Sequence, residues 1–149
     1  MIEDLMRVAL MEARAAGDTG EVPVGAVVCA PGGGIVARAG NGAIGMSDPT
    51  AHAEILAIRR ACGVAGNYRL AGYRLVCTVE PCVMCMGAAV HARIAEVVYG
   101  APDLRWGGAG TLYGLHEDTR LNHRVAVVGG VLEEECRALL QEFFRARRG

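Results

Sequence analysis

Asp48-Pro49-Thr50-Ala51-His52-Ala53-Glu54 and, further along, Thr78-Val79-Glu80-Pro81-Cys82-Val83-Met84-Cys85 are the segments from which the rest of the chain is read. Asp48-Pro49-Thr50 is a helix-start signal, and it predicts a helix from about Ala51 to Cys62. Arg74 to Thr78 reads as a strand, and Cys82 to Ala92 as the next helix, with Pro81 tolerated at a helix start because no donor is needed there. Working outward, Ile2 to Ala16 has apolar residues at helical spacing (Ile2, Leu5, Met6, Ala9, Ala13), and Gly17 is a plausible stop. Val24 to Cys29 and Ile35 to Ala39 read as strands joined by the hairpin loop Pro31-Gly32-Gly33-Gly34. Glu96 to Tyr99 is a fourth strand, the glycine-rich stretch Gly107-Gly108-Ala109-Gly110 follows, and Val125 to Val128 is a fifth. Glu133 to Arg148 is a closing helix with Cys136, Leu139, Leu140, Phe143 and Phe144 on its apolar side. Helices alternate with strands, so the expected architecture is a three-layer α/β/α sandwich.

The chain has 149 residues, the size of one domain, and 52% of them are hydrophobic, enough for a full core. No apolar run of spanning length occurs, and Met1-Ile2-Glu3-Asp4 lacks the basic start of a signal peptide, so the expectation is a cytoplasmic protein outside the membrane. Six cysteines at uneven spacing do not read as a disulfide framework in a reducing compartment. Cys29, Cys62, Cys77 and Cys136 lie in apolar surroundings and are expected to be buried. The formal net charge of -1 does not announce a nucleic-acid binder. All fifteen basic residues are arginine, which suits phosphate forks and base stacking but equally reflects composition bias. Arg145, Arg147 and Arg148 form the one local basic cluster, and they suit either phosphate contacts or a helix C-terminus.

His52, Cys82 and Cys85 supply one nitrogen and two sulfur ligands. Three such ligands leave the fourth position of a tetrahedral zinc open, as in a catalytic site. Cys82 and Cys85 share one helix face, and the helix N-terminus favours their thiolates. Glu54 is left as a spare carboxylate, suited to carry protons for a water that zinc activates. For His52 and Glu54 to reach one point, the helix near Ala51 must aim its N-terminus at the metal, and so must the helix that begins at Cys82. Other readings stay open: a redox dithiol at Cys-x-x-Cys, or a structural zinc completed by His91, His116 or His123. Ligand spacing alone also admits iron.

His-x-Glu followed by Pro-Cys-x-x-Cys resembles the signature of the zinc nucleobase deaminases. The likeness extends to Glu21-Val22-Pro23-Val24-Gly25-Ala26-Val27, Asn41, Asn67-Tyr68-Arg69-Leu70, Tyr99-Gly100-Ala101, Asn122-His123-Arg124 and Phe143-Phe144-Arg145. Over nearly the whole chain the sequence is similar to the bacterial tRNA-specific adenosine deaminases, within the cytidine and deoxycytidylate deaminase superfamily. The resemblance implies a cytidine deaminase-like fold with a central five-stranded mixed sheet, in one domain over residues 1–149. It implies one Zn2+ per subunit on His52, Cys82 and Cys85, with Glu54 as the catalytic proton shuttle. The implied activity is deamination of the wobble adenosine of a tRNA anticodon loop to inosine, by a homodimer. Asn41 and the backbone at Ala53 would hold the nucleoside, and Asp103, Asn122, Phe144 and Arg147 match positions that line the RNA groove.

The chain departs from the family pattern at Pro102-Asp103-Leu104-Arg105-Trp106 and at the acidic Glu117-Asp118-Thr119-Arg120. Trp106, the single tryptophan, suits stacking on a splayed base or packing at an interface. Phe143 and Phe144 are adjacent, so at least one is expected in the core. The helix face at Val83, Met86 and Val90 suits core or interface. Two rival functions follow from the same residues: deamination of a free base or nucleoside such as guanine or cytosine, and a catalytically silent RNA-binding subunit.

Overall fold

The computed structural model describes residues 1–148, the side chain of Arg148 excepted; the part of the basic cluster contributed by that side chain lies outside the described residues. The elements run α1 (Ile2–Asp18), β1 (Gly25–Cys29), β2 (Ile35–Gly40), α2 (Ala53–Ala65), β3 (Arg74–Val79), α3 (Val83–His91), β4 (Glu96–Ala101), β5 (Ala126–Val128) and α4 (Glu133–Arg148). A short 3-10 turn at Leu115–Glu117 was not expected from the sequence. The five strands form one sheet in the order β2-β1-β3-β4-β5. β1 is antiparallel to β2 and β3, whereas β3, β4 and β5 are parallel, so the sheet is mixed.

Side-chain alternation along the strands builds the two outer layers. Ala26 and Val28 of β1, Leu75 and Cys77 of β3, and Val97 of β4 join a core with Leu56, Ala57, Ala61, Met86 and Ala89 of α2 and α3. Their neighbours Val27, Cys29, Val76 and Val98 point to the other face, where they meet Met6, Ala9 and Leu10 of α1 and Cys136 of α4. The expected three-layer sandwich with a five-stranded mixed sheet is therefore present. β3-α3-β4 is a parallel crossover, with Arg74 paired to Glu96 at its base (Nε to Oε1 2.6 Å). Its carboxyl end is where open α/β sheets place ligands.

Several local expectations are corrected. Gly17 does not stop α1, which continues to Asp18; the end is made by Thr19, whose hydroxyl and amide both donate to the Ala16 carbonyl. α2 starts at Ala53 rather than Ala51, since His52 has extended backbone (φ -69°, ψ 152°) and stands as N-cap. It runs on to Ala65 and is closed by Gly66 in the left-handed region (φ 63°). Cys82 is likewise the N-cap of α3, not its first residue. Cys29, Cys77 and Cys136 are buried as expected, but Cys62 is half-buried. Met86 and Val90 enter the core while Val83 stays exposed. Neither phenylalanine of α4 is fully buried: Phe143 is half-covered and Phe144 exposed, because α4 rests on the sheet chiefly through Cys136 and Leu139.

Candidate metal centre

Two helix starts converge at the centre. His52 caps α2 and Cys82 caps α3, and Cys85 lies in the first turn of α3. The extended backbone at each cap turns the side chain off the helix axis, as the ligand set required. His52 Nδ1 lies 3.7 Å from Cys82 Sγ and 3.5 Å from Cys85 Sγ. An ion about 2.0 Å from nitrogen and about 2.3 Å from sulfur in a tetrahedron sets those atoms roughly 3.5 Å apart, so the spacing fits zinc. The donor set fits as well: one imidazole, two thiols, and no other residue in the group.

The sulfurs are polarised against each other. Cys82 is held down to about 4, chiefly because it accepts a hydrogen bond from the Cys85 thiol. Cys85, as the donor in a buried position, is pushed well up. The hydrogen bond to Cys82 raises His52. Glu54, in the first turn of α2, is almost fully buried, and burial pushes its carboxyl up to about 7.

No fourth ligand for a structural zinc is found among the described residues. Among the described residues, His52, Cys82 and Cys85 are the one group of three His, Cys, Asp or Glu ligands close enough to hold an ion. His91 is exposed, His123 Nε2 lies 2.8 Å from the Ile94 carbonyl, and His116 faces Glu117. Among the described residues the group therefore offers three ligand atoms, one fewer than the four of a structural zinc.

Residues 1–101 match the family model of the cytidine and deoxycytidylate deaminase zinc-binding region. A tRNA-specific adenosine deaminase of Bacillus subtilis is 48% identical over 96% of this chain and 88% of its own length. That of Haemophilus influenzae is 44% identical over 98% and 84%. A solved structure from work on A-to-I editing by tRNA:A34 deaminases at the wobble position of transfer RNA superposes with a TM-score of 0.89 at 41% identity, over 92% of this chain and 99% of that one.

The chain belongs to the tRNA-specific adenosine deaminases.

The remaining residues that the resemblance to these deaminases singles out fall in three places. Asn41 and Ala53 are near the ligands in the backbone network. The Gly42 amide donates to Ala51 O, next to His52, and Ala53 opens α2 fully buried. The Asn41 amide holds its own loop, accepting from Ala43 N (3.3 Å) and donating to Val22 O (3.4 Å). Asp103 lies in the loop after β4, which is tied to α3 through a bridge between Cys82 and Gly107. Its carboxylate accepts from Arg105 N and Trp106 N and so shapes that loop. Asn122 is exposed in the segment before β5. Phe144 and Arg147 belong to α4, on the opposite face of the sheet from α2 and α3. There the Arg147 guanidinium stacks on Phe143 (4.1 Å) and donates to Gly20 O (3.0 Å).

Two buried carboxylates were not singled out from the sequence as site residues. Glu21 accepts from Ile44 N (3.0 Å) and Gly45 N (2.7 Å), fixing the loop that follows Asn41. Glu80 does the same for the loop after β4. The available signal was position: Glu80 directly follows β3, and Glu21 lies four residues before β1.

Proposed function

We propose that residues 1–149 act as one zinc-dependent domain that deaminates the wobble adenosine of a tRNA anticodon to inosine. His52, Cys82 and Cys85 would hold one Zn2+ per subunit. When bound, zinc acts as a Lewis acid that lowers the pKa of a water to about 7. Glu54 would take one proton from the attacking water and pass it to N1 of the adenine ring as the C6–O bond forms, then take the second from the hydroxyl on C6 and pass it to the amino group, so that the C6–N bond breaks and ammonia leaves. The buried position of Glu54 beside three convergent ligands is the observation that carries this reading.

Asn41 and the Ala53 backbone are assigned to the nucleoside. Asp103, Asn122, Phe144 and Arg147 are assigned to the RNA; for Arg147 that role requires leaving, or sharing, its bond to Gly20 O. A homodimer in the cytoplasm completes the reading. Its support is the run of exposed apolar side chains Val83, Leu104, Trp106, Leu112 and Tyr113, on or next to the loop bound to Cys82. Among the described residues no helix is long and apolar enough to cross a membrane.

The test is a substrate panel. An anticodon stem-loop with wobble adenosine is incubated with the protein beside free adenosine, guanine and cytidine. Inosine in the RNA alone is expected, with affinity that falls as salt rises. Ammonia from a free base alone would overturn the proposal.

A further inference from the structure

We infer that Glu80 is a positioning residue that locks the Asp103–Thr111 loop onto the start of α3, so that the metal ligand Cys82 and the substrate-facing loop move as one body. The inference rests on the proposed function for the word substrate, but not for the loop itself.

Glu80 is 2% exposed, and among the described residues no cationic side chain pairs with it. Its charge is met by donors from one loop. Oε1 accepts from Asp103 N (3.0 Å) and from the Thr111 hydroxyl. Oε2 accepts from Ala109 N (3.0 Å) and Thr111 N (3.1 Å). Charge-assisted bonds of this kind are stronger than neutral ones. Both ends of the loop are therefore held by one side chain, two residues before Cys82 in the chain.

The backbone completes the lock. Gly108 N donates to Pro81 O (2.8 Å), and Gly107 bridges to Cys82. This close approach needs glycine. A Cβ at Gly107 would lie 2.6 Å from the Glu80 carboxylate, and one at Gly108 would lie 2.9 Å from Cys82 C. The loop so held presents Leu104 and Trp106 to solvent.

Glu80→Gln keeps the shape and removes the match. Each carboxylate oxygen faces at least one backbone N–H that cannot turn round, so an amide NH2 opposes a donor in either orientation. Glu80→Gln is compared with Thr111→Val, a surface change that deletes only the hydroxyl bond and tests the lock if the first variant does not fold. Trp106, the only tryptophan in the chain, reports the loop directly.

The expected result for Glu80→Gln is unchanged zinc content, easier acrylamide quenching of Trp106, and a KM for the stem-loop raised about ten-fold with kcat changed less, as loss of uniform binding requires. Thr111→Val moves both readouts the same way by a smaller factor. Trp106 quenching and KM unchanged in a folded Glu80→Gln variant, with only the melting temperature lowered, would reduce Glu80 to a structural residue and overturn the inference. If the wild type failed to act on the stem-loop while Glu80→Gln still freed Trp106, the functional reading would fall and the lock would stand.

Discussion

His52 and Cys82 are both helix N-caps, on α2 and α3, and their ligand atoms lie 3.7 Å apart although thirty residues separate them in the chain. The sheet brings these two helix starts together, because β3 feeds α3 directly and α2 covers the same face. The convergence of these ligand atoms is therefore a property of the fold, not of one flexible loop.

If the two caps form the centre, losing one ligand removes the metal without unfolding the chain. Cys82 is half-buried at a helix start, so Cys82→Ser leaves the core intact. The expected outcome is near-native circular dichroism with zinc bound far below one per chain, measured by elemental analysis. Full zinc occupancy in this variant would move the centre elsewhere.

Gly25 is a packing position. A Cβ there would collide with the Ala9 carbonyl oxygen and come within 2.6 Å of Ala13 N, both backbone atoms of α1. A helix backbone cannot yield as a side chain does. Gly25→Ala should therefore destabilise the protein by about 2–3 kcal/mol or more, measured by denaturant unfolding. A change under about 0.5 kcal/mol, the usual scale for a surface substitution, would show that α1 is not held this tightly.

Asp48 gives a pH dependence of known sign. The Thr50 hydroxyl and amide donate to its carboxylate and lower its pKa from the ordinary value. The unfolded chain then binds more protons in the acid range, so stability rises with pH there and is lost on acidification. The Asp48 contribution is complete above about pH 4 and is lost as pH drops through the depressed value. Asp48→Asn should flatten that part of the acid limb of the stability curve. An acid limb of unchanged slope in the variant would contradict the assignment.

How much of this was legible in the sequence follows from the range of each interaction. Periodicity gave the helices and strands, and their alternation gave the layers, because both depend on near neighbours. The convergence of His52, Glu54, Cys82 and Cys85 was legible because ligand chemistry constrains where those residue types can meet. The exact helix starts were not: a ligand at an N-cap has extended backbone, and no local pattern separates it from the first helical residue. Glu21 and Glu80 were missed as clamps because their partners lie more than twenty residues away. The contact of Arg147 with Gly20 O could not be read from α4, where the arginine cluster suits either phosphate contacts or a helix C-terminus, because Gly20 lies far away in the chain.

The central claim is most directly tested with Glu54→Gln, measuring zinc content and inosine formation in the anticodon stem-loop on the same preparation. The account predicts wild-type zinc and turnover lowered by about a hundred- to ten-thousand-fold, the usual contribution of a positioned acid/base group. Turnover near the wild-type rate with zinc retained would contradict it.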